Sequence, residues 1–177
     1  GRHPLPDMQS FARKLERSGL SNSDHVVVYD DSAGVYAGRL WWMFNYAGHD
    51  AVQILDGGLS AWTEAGFELS GKMSQRDEGV FTLNLRPDML VDAKYILRNL
   101  DNPNVLLIDA RGAERYSGEH EPLDPVGGHI PGALNRPYSD NLQDGRYKSA
   151  EALKEAFDEL ELAEAEELIV YCGSGVS

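Results

Sequence analysis

Apolar residues fall in short runs separated by polar, glycine-containing stretches, and their spacing changes along the chain. Four runs are compact and rich in β-branched or aromatic residues: His25–Asp30, Val52–Leu55, Val105–Asp109 and Leu168–Tyr171. Each is long enough for one buried strand. Between them the spacing becomes helical. Asp7 can cap a helix running to about Ser18, with Phe11 and Leu15 on one face and Gly19 behind it. A second helix spans Gly34 to Ala47 and is apolar nearly all round, with Arg39 its only formal charge. Such a helix is buried on more than one side, either in a thick core or between its own sheet and a second domain. Asp56-Gly-Gly58 turns into a helix from Ser60 to Ala65, closed by Gly66. Asp92 caps a helix to about Leu100, and Ser149 caps another whose inward face is Leu153, Phe157 and Leu160. Val80–Leu85 alternates, which predicts a further strand, and a long loop fills Ala110 to Asp144. Strands alternating with helices predict an α/β fold with a parallel sheet and right-handed crossovers.

The chain contains an echo of itself. Val26-Val-Val-Tyr-Asp30-Asp-Ser-Ala-Gly34-Val matches Leu168-Ile-Val-Tyr-Cys172-Gly-Ser-Gly175-Val, with one extra residue in the first copy. Asp30 therefore stands where Cys172 stands. The first copy is followed by helix, strand and helix, whereas the second copy is preceded by the Asp109 strand and the long loop. This arrangement predicts the back portion of one unit (residues 1–70), a linker (71–79) and the front portion of a second (80–177). Both units would then be incomplete and their sheets open-edged, so the remainder of the same polypeptide is an expected partner.

Composition narrows the classes of partner. The chain has 177 residues, 42% of them hydrophobic and 25% charged, and a formal net charge of -13. That balance argues against nucleic acid and anionic lipid, and no apolar run is long enough to span a membrane. There is one cysteine. It allows no internal disulfide, leaves a zinc cage of cysteine ligands without support, and fits a reducing, cytoplasmic setting. Neither a metal nor a cofactor is expected.

That cysteine carries the chemistry. Cys172 lies where an apolar strand stops, and Gly173 and Gly175 allow the backbone after it to curl. In a curled segment several N–H groups can face one point and stabilise an anion. A thiolate there would be reactive, and the carboxyl end of a parallel strand is where open α/β sheets place ligands. A lone cysteine after a strand is more often a small buried hydrophobe. Two glycines in the next three positions have no use in a core and favour the reactive reading.

These residues also carry a family likeness. Cys172-Gly-Ser-Gly-Val-Ser177 resembles the six-residue active-site loop of the rhodanese superfamily, especially its Cys-Gly-Ser-Gly-Val-Thr form in 3-mercaptopyruvate sulfurtransferases. Asp109-Ala-Arg111, Arg115-Tyr, Gly128-His-Ile-Pro-Gly-Ala133 and Asn135 are similar to the catalytic domain of tandem rhodaneses. Asp56-Gly-Gly-Leu-Ser-Ala-Trp62 is similar to the segment that closes such a domain. The resemblance implies two rhodanese-like domains, the first without the cysteine and the second catalytic. It implies ping-pong transfer of sulfur from thiosulfate or 3-mercaptopyruvate to cyanide or a thiol, through a persulfide on Cys172. It also implies that Arg115 binds the anionic end of the donor and that Gly173, Ser174, Gly175, Val176 and Ser177 form the cradle.

Arg111 is a lesser candidate for the donor, since Asp109 or a domain interface offers it a partner. His129 lies in a turn sequence and is read as structural. Two features depart from the family pattern: Glu121-Pro122 is followed by Leu123-Asp124 where mercaptopyruvate enzymes commonly carry an arginine, and the loop lacks the basic residues of thiosulfate enzymes. Two other readings compete with sulfur transfer. A cysteine phosphatase would need a phosphate-clamping arginine in the loop, which these six positions lack. A non-catalytic persulfide carrier would bind sulfur without turnover.

Overall fold

The computed structural model describes residues 3–160 and 165–176; the segment expected to connect Leu162 to Glu167 and the loop position Ser177 lie wholly or partly outside them. Residues His3–Leu90 and Val91–Gly175 form the bodies of two compact units.

In the first unit, α1 (Met8–Arg17) begins at Asp7, whose carboxylate accepts the Ser10 N–H at 2.8 Å, and ends before Gly19 at φ 78°. Strands β1 (Val26–Val28) and β2 (Val52–Ile54) pair in parallel, Val26 opposite Val52 and Val28 opposite Ile54. Helix α2 (Val35–Tyr46) crosses between them, and α3 (Gly58–Glu64) follows β2. Phe44 is the centre of this core, edge-on to Phe11 and Phe81. Helix α2 buries Ala37, Met43 and Phe44, while Tyr36 and Trp41 are exposed. Its apolar circumference thus overstates its burial, because one face suffices to cover two strands.

The expected strand at Val80–Leu85 does not form. Phe81 packs into the first core, but the backbone beside it bonds elsewhere. Thr82 exchanges hydrogen bonds with the Asn22 side chain at 2.6 and 3.0 Å. The Asn84 and Arg86 N–H groups donate to Ala47 and Tyr46 carbonyls at the end of α2, each at 3.0 Å. Alternation here marks a strap closing a helix terminus. The compact units accordingly divide between Leu90 and Val91, after the strap and beyond the expected linker at 71–79.

In the second unit, β3 (Val105–Asp109) is the central strand of three, in the order β4-β3-β7, all parallel. Strand β4 is Leu134–Asn135 and β7 is Glu167–Tyr171, with Val105 opposite Glu167 and Asp109 opposite Tyr171. Leu107, Ala133 and Ile169 are its buried centre, flanked by Tyr95 and Ile96 of α4 (Ala93–Arg98). The segment Ala110–Asp144 is not a bare loop. It holds α5 (Ala113–Ser117), strand β4, a 3-10 turn at Tyr138–Asn141 and β5 (Leu142–Gln143). Strand β5 pairs with β6 (Arg146–Tyr147) across Asp144-Gly145, both at positive φ as a tight hairpin requires. Helix α6 (Ala150–Asp158) starts at Ser149, whose hydroxyl accepts the Ala152 N–H, and Leu153, Phe157 and Leu160 are half-buried.

Candidate active site

Parallel pairing of β3 with β7 ends at Asp109 opposite Tyr171, so the residues after both strands emerge at the same carboxyl edge. Cys172 is the first residue beyond β7 and is partly exposed. Gly175 is at φ 79°, and its N–H donates to the Cys172 sulfur at 3.0 Å. The curl expected after the cysteine is therefore present, with the left-handed turn at Gly175. Gly173, Ser174 and Val176 are half-buried.

The framework behind the cysteine is polar and tightly paired. Asp109 is fully buried. Burial opposes its charge, but Arg111 outweighs it: the carboxyl stays below the ordinary carboxylate range. Arg111 reaches Asp109 through Nε at 3.0 Å and Nη2 at 2.6 Å, and also donates to the Gly128 carbonyl at 2.6 Å. The Asn135 amide bonds the carbonyls of Asp109 and Arg111 at 3.0 and 2.9 Å, which fixes the turn between them. Tyr171, immediately before Cys172, accepts the Ile130 N–H on its hydroxyl at 3.0 Å. Burial, with the hydrogen bond to Asp109, pushes that hydroxyl up to about 12.

Glu121 joins this framework to Arg115. Its Oε2 lies 3.4 Å from Arg111 and 2.9 Å from the Nε of Arg115, while Oε1 accepts the Leu123 and Asp124 N–H groups, each at 3.0 Å. Arg115 holds the Glu121 carboxyl far below its usual value, at about 2. Asp124 takes the other end of Arg115, at 2.7 Å from Nη2. A continuous polar chain thus runs from the residue before Cys172 to Arg115: Tyr171, Asp109, Arg111, Glu121, Arg115, Asp124. His129 is part of the turn architecture, stacked on Tyr116 at 3.7 Å between ring centroids and bonded to the Tyr116 carbonyl at 2.8 Å.

Of the residues singled out in the sequence, Arg111 and Arg115 are drawn together by a shared carboxylate. Arg111 is committed to Asp109, as its neighbour suggested. Glu121 and Asp124, which flank the departure from the family pattern at Leu123, are the partners of Arg115. Spacing alone does not single them out among the acidic residues; the fold of their turn brings both carboxylates to Arg115.

The first unit repeats the geometry with a different side chain. Asp30 is the second residue beyond β1, where Cys172 is the first beyond β7. Its Oδ1 accepts the Ser32 and Gly34 N–H groups and its Oδ2 those of Tyr36 and Ala37, all at 2.9 Å. Burial raises the carboxyl, and these four amides more than offset that, so it lies below the ordinary value.

Comparison with known proteins agrees with this layout. The rhodanese-like domain model matches residues 1–65 and 92–177, and the chain belongs to the rhodanese family. It is 44% identical over its whole length to the "Probable 3-mercaptopyruvate sulfurtransferase" of Pseudomonas aeruginosa, covering 63% of that protein. It is 36% identical to the thiosulfate sulfurtransferase of Bos taurus, with 98% of this chain and 60% of that one aligned. The crystal structure of SseA from Escherichia coli, described among 3-mercaptopyruvate sulfotransferases, superimposes with a TM-score of 0.85 at 33% identity. It covers 97% of this chain and 65% of SseA. The chain thus spans about three fifths of the length of the curated relatives it matches. Among the described residues no helix is long and apolar enough to cross a membrane.

Proposed function

We propose that this chain carries the sulfur-transfer site of a tandem rhodanese, with Cys172 as the nucleophile and 3-mercaptopyruvate preferred over thiosulfate as donor. The observation that carries the reading is the only cysteine of the chain, set at the carboxyl edge of a parallel sheet with the Gly175 amide on its sulfur. The higher identity to a mercaptopyruvate relative supports the choice of donor, as do the neutral loop positions Gly173 and Ser174.

The chemistry balances without a cofactor. The Cys172 thiolate attacks the sulfur of 3-mercaptopyruvate, an S–S bond forms and the C–S bond breaks. Its electron pair goes to carbon, and the former thiol proton ends on the methyl group of pyruvate. A persulfide anion remains on Cys172. Fixed amide dipoles at the loop favour that anion without reorganisation. A thiol or cyanide then takes the outer sulfur and returns the thiolate. Arg115 holds the donor carboxylate, for which a planar fork of permanent charge is suited. The units of residues His3–Leu90 and Val91–Gly175 each contribute part of a larger molecule in this reading. The remaining acceptor and partner surfaces belong to the rest of the same polypeptide.

Side-by-side rates test this: 3-mercaptopyruvate with a thiol acceptor against thiosulfate with cyanide. The first pair is expected to be faster, and Cys172→Ser to abolish both. Faster turnover of thiosulfate reverses the donor assignment. Donor binding with no turnover by either pair favours a persulfide carrier.

A further inference from the structure

The ion-pair cluster around Arg115 has an unusual balance. Two guanidinium groups, Arg111 and Arg115, face three carboxylates, Asp109, Glu121 and Asp124. Taken together, the cluster carries one net negative charge before any donor arrives. Three of these groups have structural duties. Asp109 and Arg111 anchor the end of β3, and Glu121 is 5% exposed and organises the turn through two N–H groups. Asp124 differs. Its side chain is 31% exposed and its carboxylate lies 2.7 Å from Nη2 of Arg115.

We infer that Asp124 is a specificity-determining residue, a fixed negative charge on Arg115 that discriminates against a dianionic sulfur donor relative to a monoanionic one. The inference rests on Arg115 being the donor's anchor. Thiosulfate brings two negative charges, whereas 3-mercaptopyruvate at neutral pH brings one. Coulomb repulsion by a fixed charge scales with the charge that approaches, so the penalty in free energy doubles and the penalty in affinity is squared. Asp124 does not abolish anion binding at Arg115, because Arg115 stays permanently charged. It grades that binding by charge.

The test is donor binding, read separately from turnover. Calorimetric titrations use Cys172→Ser, which prevents transfer, with and without Asp124→Asn, at fixed ionic strength. The expected result is a fall of about threefold in Kd for 3-mercaptopyruvate and about tenfold for thiosulfate on removing the charge. Both effects should shrink in high salt. Asp124→Glu restores the charge, and the parent's discrimination is expected to return. That variant also separates charge from folding damage. Equal tightening for both donors, no tightening, or no binding of either donor to the parent overturns the inference. Sulfur loading of wild-type Cys172 answers the other question. Charge-graded binding without loading leaves the role of Asp124 intact and removes the transferase reading. Loading without charge grading does the reverse.

Discussion

Two loops in this chain follow matching strands and end differently. After β1, Asp30 fills its own cradle: four backbone amides converge on one carboxylate, two of them from the first turn of α2. After β7, the corresponding position is Cys172, and the Gly175 amide points at sulfur. The corresponding glycines behave alike. Gly34 has φ 86° and donates to Asp30 at 2.9 Å; Gly175 has φ 79° and donates to Cys172 at 3.0 Å. The same backbone device thus serves two purposes. A carboxylate is a permanent anion near neutral pH and satisfies the amides for good. A thiol, in the proposed reaction, would leave a cradle whose anion changes from thiolate to persulfide. The lesson is that a left-handed glycine after a strand aims an amide back at the side chain near its end, and under the proposed function that side chain separates a structural lock from a reactive centre.

That contrast can be attacked from the first unit. Gly58 sits at φ 58°, and a Cβ there would meet the Asp30 carbonyl oxygen at 2.2 Å. Gly58→Ala combines a backbone collision with an unfavourable φ, so a loss of about 3 kcal/mol in the stability of the first unit is expected in denaturant titration. Removing the lock itself comes next. Asp30→Ala removes the carboxylate to which four backbone amides donate, and about 2 kcal/mol should be lost. A thermal or chemical melt equal to the parent would break the comparison.

The pH profile sharpens the comparison with a smaller effect. The Asp30 carboxyl is lowered in the folded protein, so its contribution is full above the ordinary aspartate value near 3.8. It is lost as pH falls through the lower folded value. Asp30→Asn should therefore be less stable than the parent at neutral pH, and the difference should close under strong acid. Glu121 in the second unit follows the same sign, with its contribution full above 4.5 and lost as pH falls toward about 2. Stability that falls already between pH 7 and 5 on its account would contradict the pairing with Arg115.

Much of the fold was legible because local signals agreed with one another. Asp7, Asp92 and Ser149 each cap the helix they were expected to cap, and Val105–Asp109 is the strand its β-branched run predicts. The misreadings share a physical cause. Val80–Leu85 alternates, but alternation reports a half-buried extended segment and does not say what its backbone bonds to; here it bonds to the end of α2. The stretch after Ala110 looked like loop because its elements are short. Yet Asp144-Gly145 between Gln143 and Arg146 is a strong hairpin signal that passed unread.

At the site, the turn after Cys172 was legible in Gly175, because glycine placement is a local matter. The partners of Arg115 were not. Which of 29 acidic residues meets which arginine is decided by tertiary packing, and Glu121 and Asp124 are brought to Arg115 only by the fold of their turn.

Intact-mass spectrometry after brief exposure to 3-mercaptopyruvate measures the central claim most directly. The account predicts a gain of one sulfur atom, located on Cys172, discharged by cyanide and absent in Cys172→Ser. A chain whose mass stays unchanged while the donor is supplied in excess would contradict it.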